Sequence, residues 1–155
     1  MRPAALEHDR DDWLALRIAL WPDCSAEEHL AEMAGIAAEP ERSTALVAQS
    51  PDGRLVGLAE AAIRPFAEGA LEAPVVHLEG WFVAADWRRR GIGRALVDCV
   101  ERWGMARGAR EFTSDTEVEN APSQAAHRAL GFEETCRVVN YRRPLRSATH
   151  DSDQS

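Results

Sequence analysis

Two apolar periods alternate along this chain, and the switches between them outline its elements. Trp13, Leu16 and Leu20 follow Asp9-Arg10-Asp11-Asp12 at spacings of three and four, which predicts a helix ended by Pro22. Ser25-Ala26-Glu27-Glu28 has the form of a capping box, and Leu30, Met33 and Ala34 continue one face of a second helix before Pro40. Thr44–Ala48 reads as a strand, Asp52-Gly53 as a hairpin turn tolerant of positive φ, and Leu55–Ile63 as the return strand. After a loop from Pro65 to Pro74, Val75–Val83 predicts a long central strand. Ile92, Leu96, Val100 and Trp103 form one stripe of an amphipathic helix, with Gly108 suited to its C-cap. A short strand over Glu111–Asp115, a helix opened by Asn120-Ala121-Pro122-Ser123 and ending at Leu130-Gly131-Phe132, and a last strand over Val138–Tyr141 complete the order. This order implies an α/β (α+β) fold, a sheet with helices on its faces. One domain over residues 1–146 is expected, followed by a polar, disordered tail over 147–155.

Composition narrows the function classes. The chain has 155 residues, 45% of them hydrophobic and 28% charged, and a formal net charge of -8. That charge argues against nucleic acid as a partner, because such binding needs a basic footprint to displace phosphate counterions. It permits attraction of a cationic ligand, although a solvated acidic surface produces the same value. No apolar run approaches the ~20 residues of a membrane span and no signal-peptide core is visible, so a cytoplasmic protein is expected. Cys24, Cys99 and Cys136 form no CxxC pair, and neither a disulfide framework nor a metal site is expected.

The segment Val83–Leu96 carries the most chemistry. An apolar strand runs into Arg88-Arg89-Arg90-Gly91-Ile92-Gly93 and then into a helix. Glycines let backbone N–H groups approach an anion closely, and a helix N-terminus adds partial positive charge, so the segment suits a pyrophosphate. Arg94-Ala95 stands where a P-loop needs Lys-Ser/Thr, and Leu96 stands where a dinucleotide fingerprint needs a third glycine; both of those readings fail.

Arg88-Arg89-Arg90-Gly91-Ile92-Gly93 resembles the Q/R-x-x-G-x-G/A signature of the GNAT superfamily of acetyltransferases, and Asn120-x-x-Ser123-x-x-Ala126-His127-x-x-Leu130-Gly131-Phe132 resembles its second signature. Further blocks, among them Trp21-Pro22, Leu78-Glu79-Gly80, Arg102-Trp103-Gly104 and Ser114-Asp115-Thr116, are similar to those of the aminoglycoside 6'-N-acetyltransferases. The resemblance implies the GNAT fold, a mixed, mostly antiparallel central sheet with helices on both faces. It implies acetyl-CoA as co-substrate, with its pyrophosphate held by Arg88, Arg89, Arg90, Gly91, Ile92, Gly93 and Arg94, its pantetheine arm along Trp81, Phe82 and Val83, and a contact from Asn120. It also implies a polycationic aminoglycoside as acceptor and a homodimer.

An acceptor of that kind presents several ammonium groups, so its pocket should be acidic and should remove a proton from the reacting amine. Glu79, or a water it orders, is the first candidate for general base and Asp115 the second. The resemblance carries Trp21, Glu79 and Asp115 over as substrate contacts, and Phe66 takes the place of a tyrosine common in the family. His127 occupies the position of a tyrosine held to protonate the departing sulfur, and a histidine packed beside the co-substrate is the alternative. Cys136 stands where many relatives have an acidic contact. Two other readings stay open: an acetyltransferase for a polyamine or a protein N-terminus, and an acyl-CoA-binding module without activity.

Overall fold

The computed structural model describes residues 1–145. The tail expected from Ser147 onward lies outside them. The elements are β1 (Arg2–Pro3), α1 (Leu6–Leu20), α2 (Ala26–Ala38), β2 (Ser43–Gln49), β3 (Leu55–Arg64), β4 (Val75–Val83), α3 (Ile92–Met105), β5 (Glu111–Ser114) and α4 (Ala121–Ala129), with a turn of 3-10 helix at Ala85–Trp87. The five strands lie in one sheet in chain order, antiparallel throughout except for β4 and β5, which run parallel. The sheet is therefore mixed and mostly antiparallel, as expected.

Alternate residues of β2 send their side chains to opposite faces. Ala45 and Val47 join Trp13, Leu16 and Met33 of α1 and α2 in one core. Leu46 and Ala48 join Leu96, Val97 and Val100 of α3 in the other. Helices thus cover both faces of the sheet. The α3 side is packed so closely that a Cβ at Gly104 would lie 2.6 Å from Val76.

Local sequence signals explain most element boundaries. The Ser25 hydroxyl accepts the Glu28 backbone N–H while the Glu28 carboxylate accepts the Ser25 N–H at 2.7 Å, completing the capping box of α2. Gly53, at φ 93°, turns β2 into β3. α1 begins earlier than its acidic run suggests: Ala5 is the N-cap, and buried Asp9 reaches back to accept the Ala5 N–H at 2.8 Å. Arg2 Nη1 and Nη2 also donate to Asp9, and this pair holds the carboxyl below its usual range.

The last strand predicted over Val138–Tyr141 does not form. Among the described residues no strand follows β5, and Val139 and Tyr141 are 75% and 91% exposed. The segment stands away from the sheet although β5 is an edge strand, and propensity alone does not make a strand.

Candidate active site

The strand–arginine–glycine segment forms a concave row of backbone donors. Arg89, at φ 60°, and Gly91, at φ 78°, both adopt the left-handed conformation and curl the loop before α3. A Cβ at Gly91 would meet nothing, so its backbone angle is what requires glycine there. The α3 N-terminus has no side-chain cap. The first loop-to-helix bond is from Ala95 N–H to the Gly91 carbonyl, and among the described residues no backbone N–H from Arg89 to Arg94 has a protein acceptor. Such a row of uncapped donors at a helix start is an anion site. The arginine side chains are largely engaged elsewhere: Arg88 Nε donates to the Val83 carbonyl at 2.9 Å, Arg90 stacks on Trp87, and Arg94 donates to the Ala129 carbonyl at 2.8 Å. The main chain, more than the guanidinium groups, offers itself to a diphosphate.

Beside that loop the sheet opens. β5 pairs with β4 only from Val75 to Leu78, whereas β3 stays paired with β4 through Val83. Glu79 to Val83 therefore have one edge without a strand neighbour, and an amide-bearing arm can pair there as a strand would. Trp81 faces the α3 side, lying against Gly93 so tightly that a Cβ there would sit 2.7 Å from the ring. Among the described residues its buried indole N–H has no partner. Asn120 caps α4, its Oδ1 accepting the Ser123 N–H at 3.1 Å, and its NH2 is without a protein acceptor among the described residues. These groups fit coenzyme A: a donor row for the diphosphate, an open edge for the arm and spare side-chain donors beside it.

His127 stands edge-on to Trp81, with ring centroids 5.9 Å apart. Its Nδ1 lies 2.8 Å from the Ser123 carbonyl and so carries the proton, which makes Nε2 an acceptor for the Ser114 hydroxyl at 2.9 Å. Ser114, the last residue of β5, was not singled out from the sequence. It sits where the two parallel strands part.

On the α1–α2 side a cleft of about 600 Å³ is lined by Trp21, Glu32, Glu39, Glu60 and Glu79, together with the cation of Arg17. A β-bulge opens β4 towards it. Glu60 pairs with Gly80 and Ala61 with Leu78, leaving Glu79 as the extra residue. Trp21 packs against Gly80, where a Cβ would fall 2.3 Å from the indole ring. Asp115 is 85% exposed and approaches this corner through His77, whose Nε2 is 3.5 Å from Asp115 Oδ2 and whose Nδ1 is 2.9 Å from Thr113 Oγ1. Burial, and after it the nearby Arg64 guanidinium, hold the His77 pKa below its usual 6.5. Phe66 is exposed and does not line the cleft.

A buried ion network supports the Trp21 platform. Arg17 donates to Glu60 and Glu32 through separate nitrogens and to His29 Nδ1 at 3.2 Å, and its guanidinium lies 4.8 Å from the Trp21 ring centre. His29 Nε2–H in turn donates to the Trp21 carbonyl at 3.2 Å. Trp13 Nε1 donates to Glu60 at 2.7 Å. Burial pushes the Glu60 carboxyl up, against the opposing pull of Arg17 and Trp13. The signal was present in the sequence: a lone acid in an apolar strand, and an arginine four residues after Trp13 on an apolar helix face. What joins them is tertiary.

Residues 4–132 match the profile of the Acetyltransferase (GNAT) family. The chain is 44% identical over 141 residues to the aminoglycoside N(6')-acetyltransferase type 1 of Klebsiella aerogenes, covering 88% of this chain and 91% of that one. With the enzyme of that name from Serratia marcescens the identity is 46% over 141 residues, covering 90% and 96%. Among solved structures, AAC(6')-Iy bound to the bisubstrate analogue CoA-S-monomethyl-acetylneamine superposes with a TM-score of 0.84 at 41% identity, covering 88% of this chain and 92% of that one. The apo 6'-N-acetyltransferase AAC(6')-IG of Acinetobacter haemolyticus gives a TM-score of 0.88 at 37% identity, covering 94% and 98%.

Proposed function

Because the chain belongs to the acetyltransferase (GNAT) family, we propose that it transfers the acetyl group of acetyl-CoA to a primary amine, the 6'-amine, of an aminoglycoside antibiotic. The observation that carries this reading is the adjacency of two dissimilar half-sites: the uncapped donors of Arg89–Arg94 with the open β4 edge, and an acidic cleft reached by the bulged Glu79. The relatives named above act on aminoglycosides, and one is bound to an analogue that joins coenzyme A to an aminoglycoside fragment.

In this reading the backbone of Arg89–Arg94 fixes the diphosphate, and Trp81–Val83 align the arm so that the thioester lies at the parting of β4 and β5. Asn120 adds a polar contact. Glu79, or a water it orders, takes the proton from the ammonium group so that the neutral amine attacks the carbonyl. Asp115 holds a neighbouring ammonium, and Trp21 forms a wall for the sugar. A main-chain N–H on the open edge of β4 stabilises the oxyanion as it develops. The departing thiolate, with a pKa of about 8.5, leaves without much help; His127, neutral with Nε2 accepting in the resting site, would first take a proton from solvent at Nε2 and then pass it to the sulfur. No metal takes part.

We further take the enzyme to be a cytoplasmic homodimer that gives aminoglycoside resistance. Among the described residues no helix is long and apolar enough to cross a membrane. The exposed Val138, Val139, Tyr141 and Leu145 give a second copy an apolar segment to cover. Acetyl-CoA turnover read as released thiol, with kanamycin, tobramycin and spermidine in parallel, tests the reading. Faster thiol release with the aminoglycosides is expected. Release equal to the blank removes that substrate class, and release with spermidine alone assigns the enzyme to a different amine.

A further inference from the structure

The corner that holds the two candidate acceptor carboxylates also contains a cation of the protein's own. Arg64, the last residue of β3, reaches Glu79 with both sides of its fork: Nε donates to Oε1 at 2.9 Å and Nη2 to Oε2 at 2.5 Å. Both side chains are partly sheltered, at 40% and 33% exposure. This bidentate geometry is the strongest that a carboxylate and a side-chain cation adopt. The charged and titratable groups around this corner are Arg64 on β3, His77 and Glu79 on β4 and Asp115 after β5. His77 is held towards its neutral form, so the two acids outweigh the single cation by one charge.

A substrate ammonium cannot occupy Glu79 while the fork does. We propose that Arg64 is a resident cation that the acceptor must displace, and hence a specificity-determining residue. This rests on the reading of Glu79 as the carboxylate that receives the reacting amine. With the guanidinium in place, Glu79 is fixed in one rotamer without needing an ion from solution. Once it swings out, Glu79 and Asp115 together present two negative charges. A monoamine only exchanges one cation for another and gives up the fork geometry. An acceptor with several ammonium groups recovers that loss at Asp115. The arrangement therefore selects polycations over the simple amines of the cell without a shape-specific pocket.

Arg64→Met keeps the aliphatic stem and removes the charge. The KM for kanamycin should fall by up to about fivefold, the upper end for loss of one partly exposed ion pair, with kcat and the acetyl-CoA KM unchanged. In the wild-type protein the Arg64 Nε–H resonance should leave its carboxylate-paired position when kanamycin is added in the presence of coenzyme A. A rise in KM, or a fall in kcat, would mean that Arg64 positions Glu79 and would overturn the proposal. A resonance unmoved by saturating ligand would overturn it equally. Failure of the wild type to acetylate kanamycin would remove the substrate reading instead, and the same resonance followed with spermidine would still decide whether an amine displaces Arg64.

Discussion

Replacing Gly80 by alanine separates the two half-sites with a single methyl group. The new Cβ would stand 2.3 Å from Trp21 Cη2, 2.4 Å from Cζ2 and 2.9 Å from Leu20 Cδ2. A carbon–carbon contact needs ~3.5 Å, so the indole must retreat by about 1 Å. It cannot retreat freely, because Arg17 lies against its ring and His29 holds its carbonyl. A shift of that size in a substrate wall costs on the order of 10- to 100-fold in kcat/KM. The loss should fall on the aminoglycoside while the acetyl-CoA KM stays within about twofold, since Gly80 adjoins Trp21 and not the donor loop. Gly93→Ala is the mirror experiment: its Cβ would lie 2.7 Å from Trp81, on the co-substrate side, and should raise the acetyl-CoA KM. Steady-state kinetics with each substrate varied in turn reads both. An unchanged aminoglycoside KM and kcat in Gly80→Ala would refute Trp21 as a wall of the acceptor site.

Three further outcomes are expected. Glu79→Gln should lower kcat by about 10²- to 10³-fold near neutral pH, the range for loss of a general base, and leave coenzyme A binding by calorimetry intact; near-wild-type turnover would move the base elsewhere. Glu60→Ala strands Arg17 in the interior and should cost about 3–5 kcal/mol in urea unfolding; a loss below ~1 kcal/mol would mean that Glu32 alone satisfies the guanidinium. The Asp9 carboxyl is lowered in the folded chain, first by Arg2 and also by the Ala5 N–H. Its contribution is therefore complete above the unfolded carboxylate range and is lost as pH falls through the lowered folded value. The stability gap between wild type and Asp9→Asn should accordingly be present at pH 6 and close on acidification, and a gap that widened in acid would reverse the sign of this linkage.

Much of the fold was legible because its signals are local. The capping box at Ser25–Glu28, the Gly53 turn and the stripe from Ile92 to Trp103 each dictate structure within a few residues, and all three form. The donor loop was legible for the same reason: its glycines and helix start are contiguous. The remainder depends on partners far away in sequence. A two-residue β1 has no periodicity to detect, and Val138–Tyr141 has a strand's composition but stays exposed and outside the sheet. The Arg17–Glu60 pair spans 43 residues, so neither side chain announces its partner. The bulge that turns Glu79 outward is a property of the β3–β4 register, which no stretch of β4 reveals alone. Arg64, His77 and Ser114 enter the site for the same reason, through strands that only the sheet brings together.

The central claim is that backbone donors at the start of α3 grip a diphosphate. Amide NMR and calorimetry with coenzyme A and with pantetheine, which keeps the arm but lacks the diphosphate, test it directly. Charge-assisted bonds of ~1.5 kcal/mol each predict that coenzyme A binds more than about 100-fold tighter. The amide signals of Arg89 to Arg94 should then move together with coenzyme A and stay in place with pantetheine. Equal affinity for the two compounds, or coenzyme A binding that leaves those amides unmoved, would contradict the account.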